Sequence, residues 1–197
     1  MNKQQKFSHE EGLKTIYAMI EAAKGTIGEN YLYYLLWGYL VAATCILEFI
    51  LIRVFQFRQH YLVWPVLMGL GLVVSSLFMW RQKRERTHKT FIGHIMGYLW
   101  GGWLISFIIL LLFVNLMQVY HVIMPVCMVM YGLGIFVSGG VISFRPLILG
   151  GLIAWVAAVL AFYLSHEIQL LIMTITVILS YIIPGHLLRI TSKRLKP

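Results

Sequence analysis

Glu48 is the acidic residue set deepest in an apolar stretch of this 197-residue chain, which has seven acidic residues, all of them glutamate. A central intramembrane acid costs roughly 2.5–3.5 kcal/mol on insertion scales, so a carboxyl kept there needs a reason. A helical wheel puts Tyr34, Trp37, Val41, Thr44, Cys45 and Glu48 on one face. Thr44 lies one turn before the acid and is expected to hydrogen-bond it. Arg53 lies five residues on and is poorly placed as a partner within the same helix. The carboxyl should therefore face another helix or a wet cavity, or stay protonated. Two chemistries remain open for Glu48 and Thr44: a proton or cation site, or a structural hydrogen bond.

The other polar residues are sparser. His94 and His121 fall at opposite ends of the third and fourth apolar stretches and cannot share a metal. His60 and His166 fall at one end, with Arg58 and Glu167, where a weak metal or pH-sensing site is conceivable. The stretch Ser138–Pro146 contains Gly139, Gly140, Arg145 and Pro146, which predict a shaped turn. Such a turn either binds a phosphate or a partner, or simply starts the next helix. Enzyme chemistry is not expected. The chain carries no P-loop, no H-E-x-x-H, no C-x-x-C and no paired carboxylates within an apolar stretch. No cofactor motif is found either.

These residues are held by six apolar stretches, at about 31–55, 61–80, 92–114, 119–137, 147–164 and 168–188. Each is close to the ~20 residues that a helix needs to cross a bilayer. The predicted fold is all-α and polytopic, with six transmembrane helices paired as three hairpins. The sixteen Lys and Arg residues then divide fourteen to two between the faces, only Arg53 and Arg58 lying on the poorer one. Positive charge marks the cytoplasmic side, so both termini are expected inside. Shifting the helix number by one would scatter the charges over both faces. Arg81, Lys83, Arg84 and Arg86 form a basic loop expected to meet anionic lipid headgroups. Ten residues between two spans are too few for a nucleic-acid-binding fold, whatever the net charge of +9.

Residues 1–30 form a separate segment in this reading, before the transmembrane domain 31–188 and a basic tail 189–197. Ser8-His9-Glu10-Glu11 has the form of a capping box, and Leu13, Ile16, Tyr17, Ile20 and Ala23 follow at helical spacing. Gly25 and Gly28 are expected to end this amphipathic helix, and Pro184-Gly185 to end or kink the last span. Cys45 and Cys127 read as small apolar packing residues.

An internal repeat is also expected. Leu36-Trp37-Gly38 recurs as Leu99-Trp100-Gly101, and Gly69-Leu70-Gly71 as Gly132-Leu133-Gly134, both at an offset of 63 residues. The shared register argues for a duplicated two-helix unit. Gly93, Gly97 and Gly101 put small residues on one face of the third helix, for packing within the bundle or for a homodimer seam.

Tyr34-Leu35-Leu36-Trp37-Gly38, Tyr131–Pro146 with Leu147–Gly151, and Tyr181–Arg189 together resemble an uncharacterised family of small six-helix bacterial inner-membrane proteins. The resemblance implies an inner-membrane location and carries over no activity and no site residues. Two functions remain. The first is a non-catalytic membrane module that associates with itself or another membrane partner. The alternative is a small transporter or channel built on Glu48.

Overall fold

The computed structural model describes residues 9–85 and 91–194, and among them every regular element is helical. α1 (His9–Arg53) is one continuous helix of 45 residues. The amphipathic segment and the first span are therefore not separate, and Gly25 and Gly28 do not end a helix. A glycine costs a helix only about 1 kcal/mol relative to alanine, so two of them weaken α1 without breaking it. α2 (Val63–Glu85), α3 (Phe91–Met117), α4 (Ile123–Val141) and α5 (Arg145–Ala161) follow. The last rod is α6 (His166–Val177), a π turn (Ile178–Ile182) and α7 (Ile183–Arg194).

Five of these rods are long and apolar enough to cross a membrane, and α5, with 17 residues, is shorter. At 1.5 Å per residue α5 covers about 26 Å, slightly less than a ~30 Å hydrocarbon core. Pro184-Gly185 does not end the last rod, which continues to Arg194. Pro184 has no N–H to give to the preceding turn, and the widened π turn directly before it absorbs that loss. The boundary placed at residue 189 is consequently not a helix end.

The core lies among α1, α4, α5 and the last rod, around Met128, Ile135, Leu147, Leu170, Met173 and Leu188. α2 and α3 flank it. Only 6% of the span window in each is buried within the chain, against 56% in α4 and in the last rod. Among the described residues α2 and α3 hardly touch each other, which leaves a cleft between them.

Glycines set the closest approach, on elements other than the one expected. A Cβ on Gly132 would lie 2.7 Å from the Trp155 ring, and one on Gly139 would lie 2.8 Å from the Ile148 nitrogen. A Cβ on Gly151 would lie 2.7 Å from Phe136 Cβ, and one on Gly150 2.8 Å from Ser180 Cα. The tight seam thus joins α4 to α5 and α5 to the π turn. Gly97 and Gly101 instead face open space, with nothing within 4 Å of an added Cβ, so they make no close seam among the described residues. Two further contacts recur at the offset of 63 residues. Trp37 lies 3.4 Å from the Cβ position of Gly71, and Trp100 lies 3.2 Å from that of Gly134.

The turn expected over Ser138–Pro146 is smaller than the sequence suggests. Gly139 and Gly140 belong to α4, where Gly139 serves the seam, and Arg145 and Pro146 open α5. Only Ile142–Phe144 connects the two helices. Phe144 N–H bonds the Gly139 carbonyl at 2.8 Å and Ser143 N–H bonds that of Gly140 at 3.1 Å. This is a Schellman cap with Ser143 in the left-handed position at φ 55°, where glycine is usual. Ser143→Gly should relieve up to about 1 kcal/mol of strain. A thermal midpoint in detergent should rise by a few degrees, and a fall would show that the serine side chain is needed.

Candidate functional site

Three connections meet at one end of the bundle: residues 54–62, 118–122 and 162–165. Their neighbours line a common cavity of about 1000 Å³, which includes Glu48, His60, Asn115, Tyr120, His121 and His166. Glu48 lies just over one turn before the end of α1, and His60 opens the short 3₁₀ turn that leads into α2. The connection after Arg53 folds back over the end of α1, and that return brings His60 beside Glu48. Trp64 follows His60 by four residues and reaches the same place.

Glu48 is 2% exposed. His60 Nδ1 lies 2.7 Å from Glu48 Oε1, and the Trp64 indole N–H donates to Oε2 at 2.6 Å. An ionised carboxylate only accepts, so Nδ1 of His60 then carries the hydrogen. His166 Nε2, from the start of α6, stands at a longer 3.4 Å from Oε1. Thr44 is also fully buried but does not join the site. Its hydroxyl donates to the Leu40 carbonyl at 2.7 Å, the usual outlet for a helical threonine. The expected Thr44–Glu48 contact is replaced by indole and imidazole donors from two other elements.

Arg53 is withheld from Glu48. Its guanidinium pairs with Glu167 at 2.6 Å on the more exposed rim, which ties α1 to α6 beside His166. Gln169, 1% exposed, donates to the carbonyls of Ala161 and Leu164 at 3.0 Å and of His121 at 3.2 Å. One buried amide thus holds the end of α5, the following turn and the approach to α4. Nothing in the sequence reading singled out Gln169 or Trp64. The signal for Trp64 was its i+4 spacing from His60, while Gln169 had none beyond being a polar residue in an apolar run.

Among the described residues, no group of three or more His, Cys, Asp or Glu is arranged to hold a metal ion. At bonds of about 2.1 Å, two ligand atoms on a tetrahedral ion lie roughly 3.4 Å apart. The 2.7 Å His60–Glu48 contact is a hydrogen bond and leaves no seat between them. Cys45 and Cys127 are buried free thiols. His94 stacks edge-on against Tyr98 at 4.9 Å, at the opposite end from His121. The side chains of Lys83, Arg84 and Arg86 lie outside the described residues.

A second cavity, of about 330 Å³, lies farther along the same cleft between α1, α2, α3 and α4. Its wall is aromatic, with Trp37 and Trp100 both in it. The fold and the site together describe an all-helical chain with five rods able to cross a membrane and a buried acid near one end. No family model, curated protein or solved structure matches the chain.

Proposed function

We propose that this chain is a multi-pass protein of a bacterial inner membrane, with both termini cytoplasmic, and that it is a small, non-catalytic transporter. In this reading Glu48, with His60 and His166, accepts a proton or cation from the outer side. The charge asymmetry supports the orientation. The recurring Trp37–Gly71 and Trp100–Gly134 contacts support a duplicated two-helix unit behind α1–α2 and α3–α4.

One observation carries the function. The ionisable partners that the buried Glu48 meets are two histidines, while Arg53, the nearest fixed cation along α1, is paired with Glu167. A buried carboxylate needs a compensating charge. Each imidazole can hold a proton beside the carboxylate, so the cluster sets proton-exchanging groups where a fixed cation would otherwise stand. The cavity beside it provides the access route.

The test is a pH jump applied to proteoliposomes on a solid-supported membrane. Wild type should give a transient charge displacement, and Glu48→Gln should reduce it at least about tenfold while keeping the same elution profile. A wild-type protein that inserts correctly but gives no transient would sink the reading, as would a Glu48→Gln transient equal to wild type.

A second reading has its own support. The open faces of Gly97 and Gly101 on α3 suit a membrane module that pairs with a second copy. Gly101→Leu would then lower the mass measured by light scattering in mild detergent, an outcome the transporter reading does not call for.

A further inference from the structure

Both oxygens of Glu48 are already engaged by N–H donors. Oε1 meets His60 Nδ1 at 2.7 Å, Oε2 accepts from the Trp64 indole at 2.6 Å, and the residue is 2% exposed. These donors turn positive hydrogens toward the carboxylate, where an approaching ion would have to displace them. The carboxylate is therefore screened from the cavity. The imidazoles are not: the side chains of His60 and His166 are 30% and 34% exposed, and both line the cavity.

The two ring nitrogens of His60 differ in what they meet. Nδ1 is held by Glu48, which fixes the tautomer and leaves the lone pair of the neutral ring on Nε2. Nε2 makes no hydrogen bond to the described residues and is not sealed from solvent, so it opens on the cavity. His166 is held less firmly, its Nε2 standing 3.4 Å from the same oxygen. Both rings thus direct one nitrogen at Oε1 and the other away from it. No third His, Cys, Asp or Glu completes an ion seat with them among the described residues.

We propose that this site takes the proton alone, and that His60 Nε2 is the atom that accepts it from the cavity. The Nε2 lone pair forms the new N–H bond, and a hydronium ion in the cavity gives up its proton and leaves as water. Nδ1 keeps its hydrogen, and Glu48 stays ionised opposite the imidazolium. Glu48 is then a positioning residue, which orients the ring and balances its charge. The other titratable groups around the pair are Cys45 of α1, Tyr61 beside His60, Tyr120 and His121 before α4, and His166 of α6. Arg53 and Glu167 neutralise each other on the rim. This inference narrows the transporter reading from proton or cation to proton, and rests on that reading only for what the exchange serves.

The exchange is read without transport, by nitrogen NMR of the full chain in dodecyl maltoside with its histidine rings labelled with nitrogen-15. The His60 resonances are assigned by their loss in His60→Asn. In the neutral ring Nδ1 should carry the hydrogen and Nε2 none; on acidification Nε2 should gain one while Nδ1 keeps its own. Replacing choline chloride by sodium or potassium chloride at fixed pH should move neither resonance. The opposite neutral tautomer, or a shift with sodium or potassium, would overturn the proposal whether or not the chain transports anything. His60→Asn also tests the role, because its amide N–H reproduces the Nδ1 donor to Glu48 but offers no basic nitrogen. Its thermal midpoint should stay within about 3 °C of wild type. Its pH-jump transient should fall at least about tenfold. A transient equal to wild type in the folded variant would reduce His60 to a structural donor and overturn the assignment.

Discussion

Gly151→Leu is expected to leave little folded protein. A Cβ at this position would lie 2.7 Å from Phe136 Cβ, 2.8 Å from the Gly132 carbonyl oxygen and 3.0 Å from Phe136 Cα. Two of these atoms are backbone, so no rotamer change can clear them. The facing residue is equally confined, because a Cβ on Gly132 would lie 3.0 Å from the Gly151 carbonyl oxygen. Over-packing a core ordinarily costs about 1–3 kcal/mol, and separating two helices along their tightest seam should exceed that. The thermal midpoint by fluorescence-detected size exclusion should fall by more than about 10 °C, or the monodisperse peak should be lost. Gly101→Leu, on open α3 surface, should keep its peak shape and midpoint. Equal behaviour of the two variants would mean that α4 and α5 do not meet as described.

Glu48→Ala is expected to cost roughly 2–5 kcal/mol, and Glu48→Gln much less. The alanine variant leaves the indole N–H of Trp64 and Nδ1 of His60 without their acceptor beside a 2%-exposed position. Glutamine keeps the shape and one acceptor oxygen, enough for one of the two donors. A chemical-denaturation or thermal series on the purified chain should therefore rank wild type, then glutamine, then alanine. Alanine as stable as glutamine would show that these hydrogen bonds contribute nothing to the fold. The same pair separates folding from function, because glutamine retains most of the stability and loses the titratable charge.

The rods were readable because a helix crossing a bilayer must be apolar along its length, and hydropathy reports that directly. The apolar character of 31–55 predicted the span but not that α1 begins at His9, since glycine's helix penalty is too small to act as a stop. Glu48 stood out by its cost, and His60 and His166 were already assigned to one end. Their convergence was not readable. His60 lies only 12 residues from Glu48, across the first connection, but His166 lies 118 residues away, and only packing brings it in. The glycine seam inside the bundle was not readable for a related reason. The regular i, i+4 spacing of Gly93, Gly97 and Gly101 looks like a packing face, yet the helices that meet use Gly132 and Gly139, seven apart, and the adjacent pair Gly150 and Gly151. Spacing identifies which face could pack, and the neighbour decides which one does.

The unbroken length of α1 has a mechanical side. A helix of 45 residues is about 68 Å long, and it holds Glu48 near one tip while the other tip is His9. Such a rod is a lever. Pivoting it by 5° about its Arg53 end would sweep the His9 end through about 6 Å, roughly one helical pitch. A displacement too small to notice around the carboxylate is thus magnified at the far end of the same helix, without any intervening joint to absorb it.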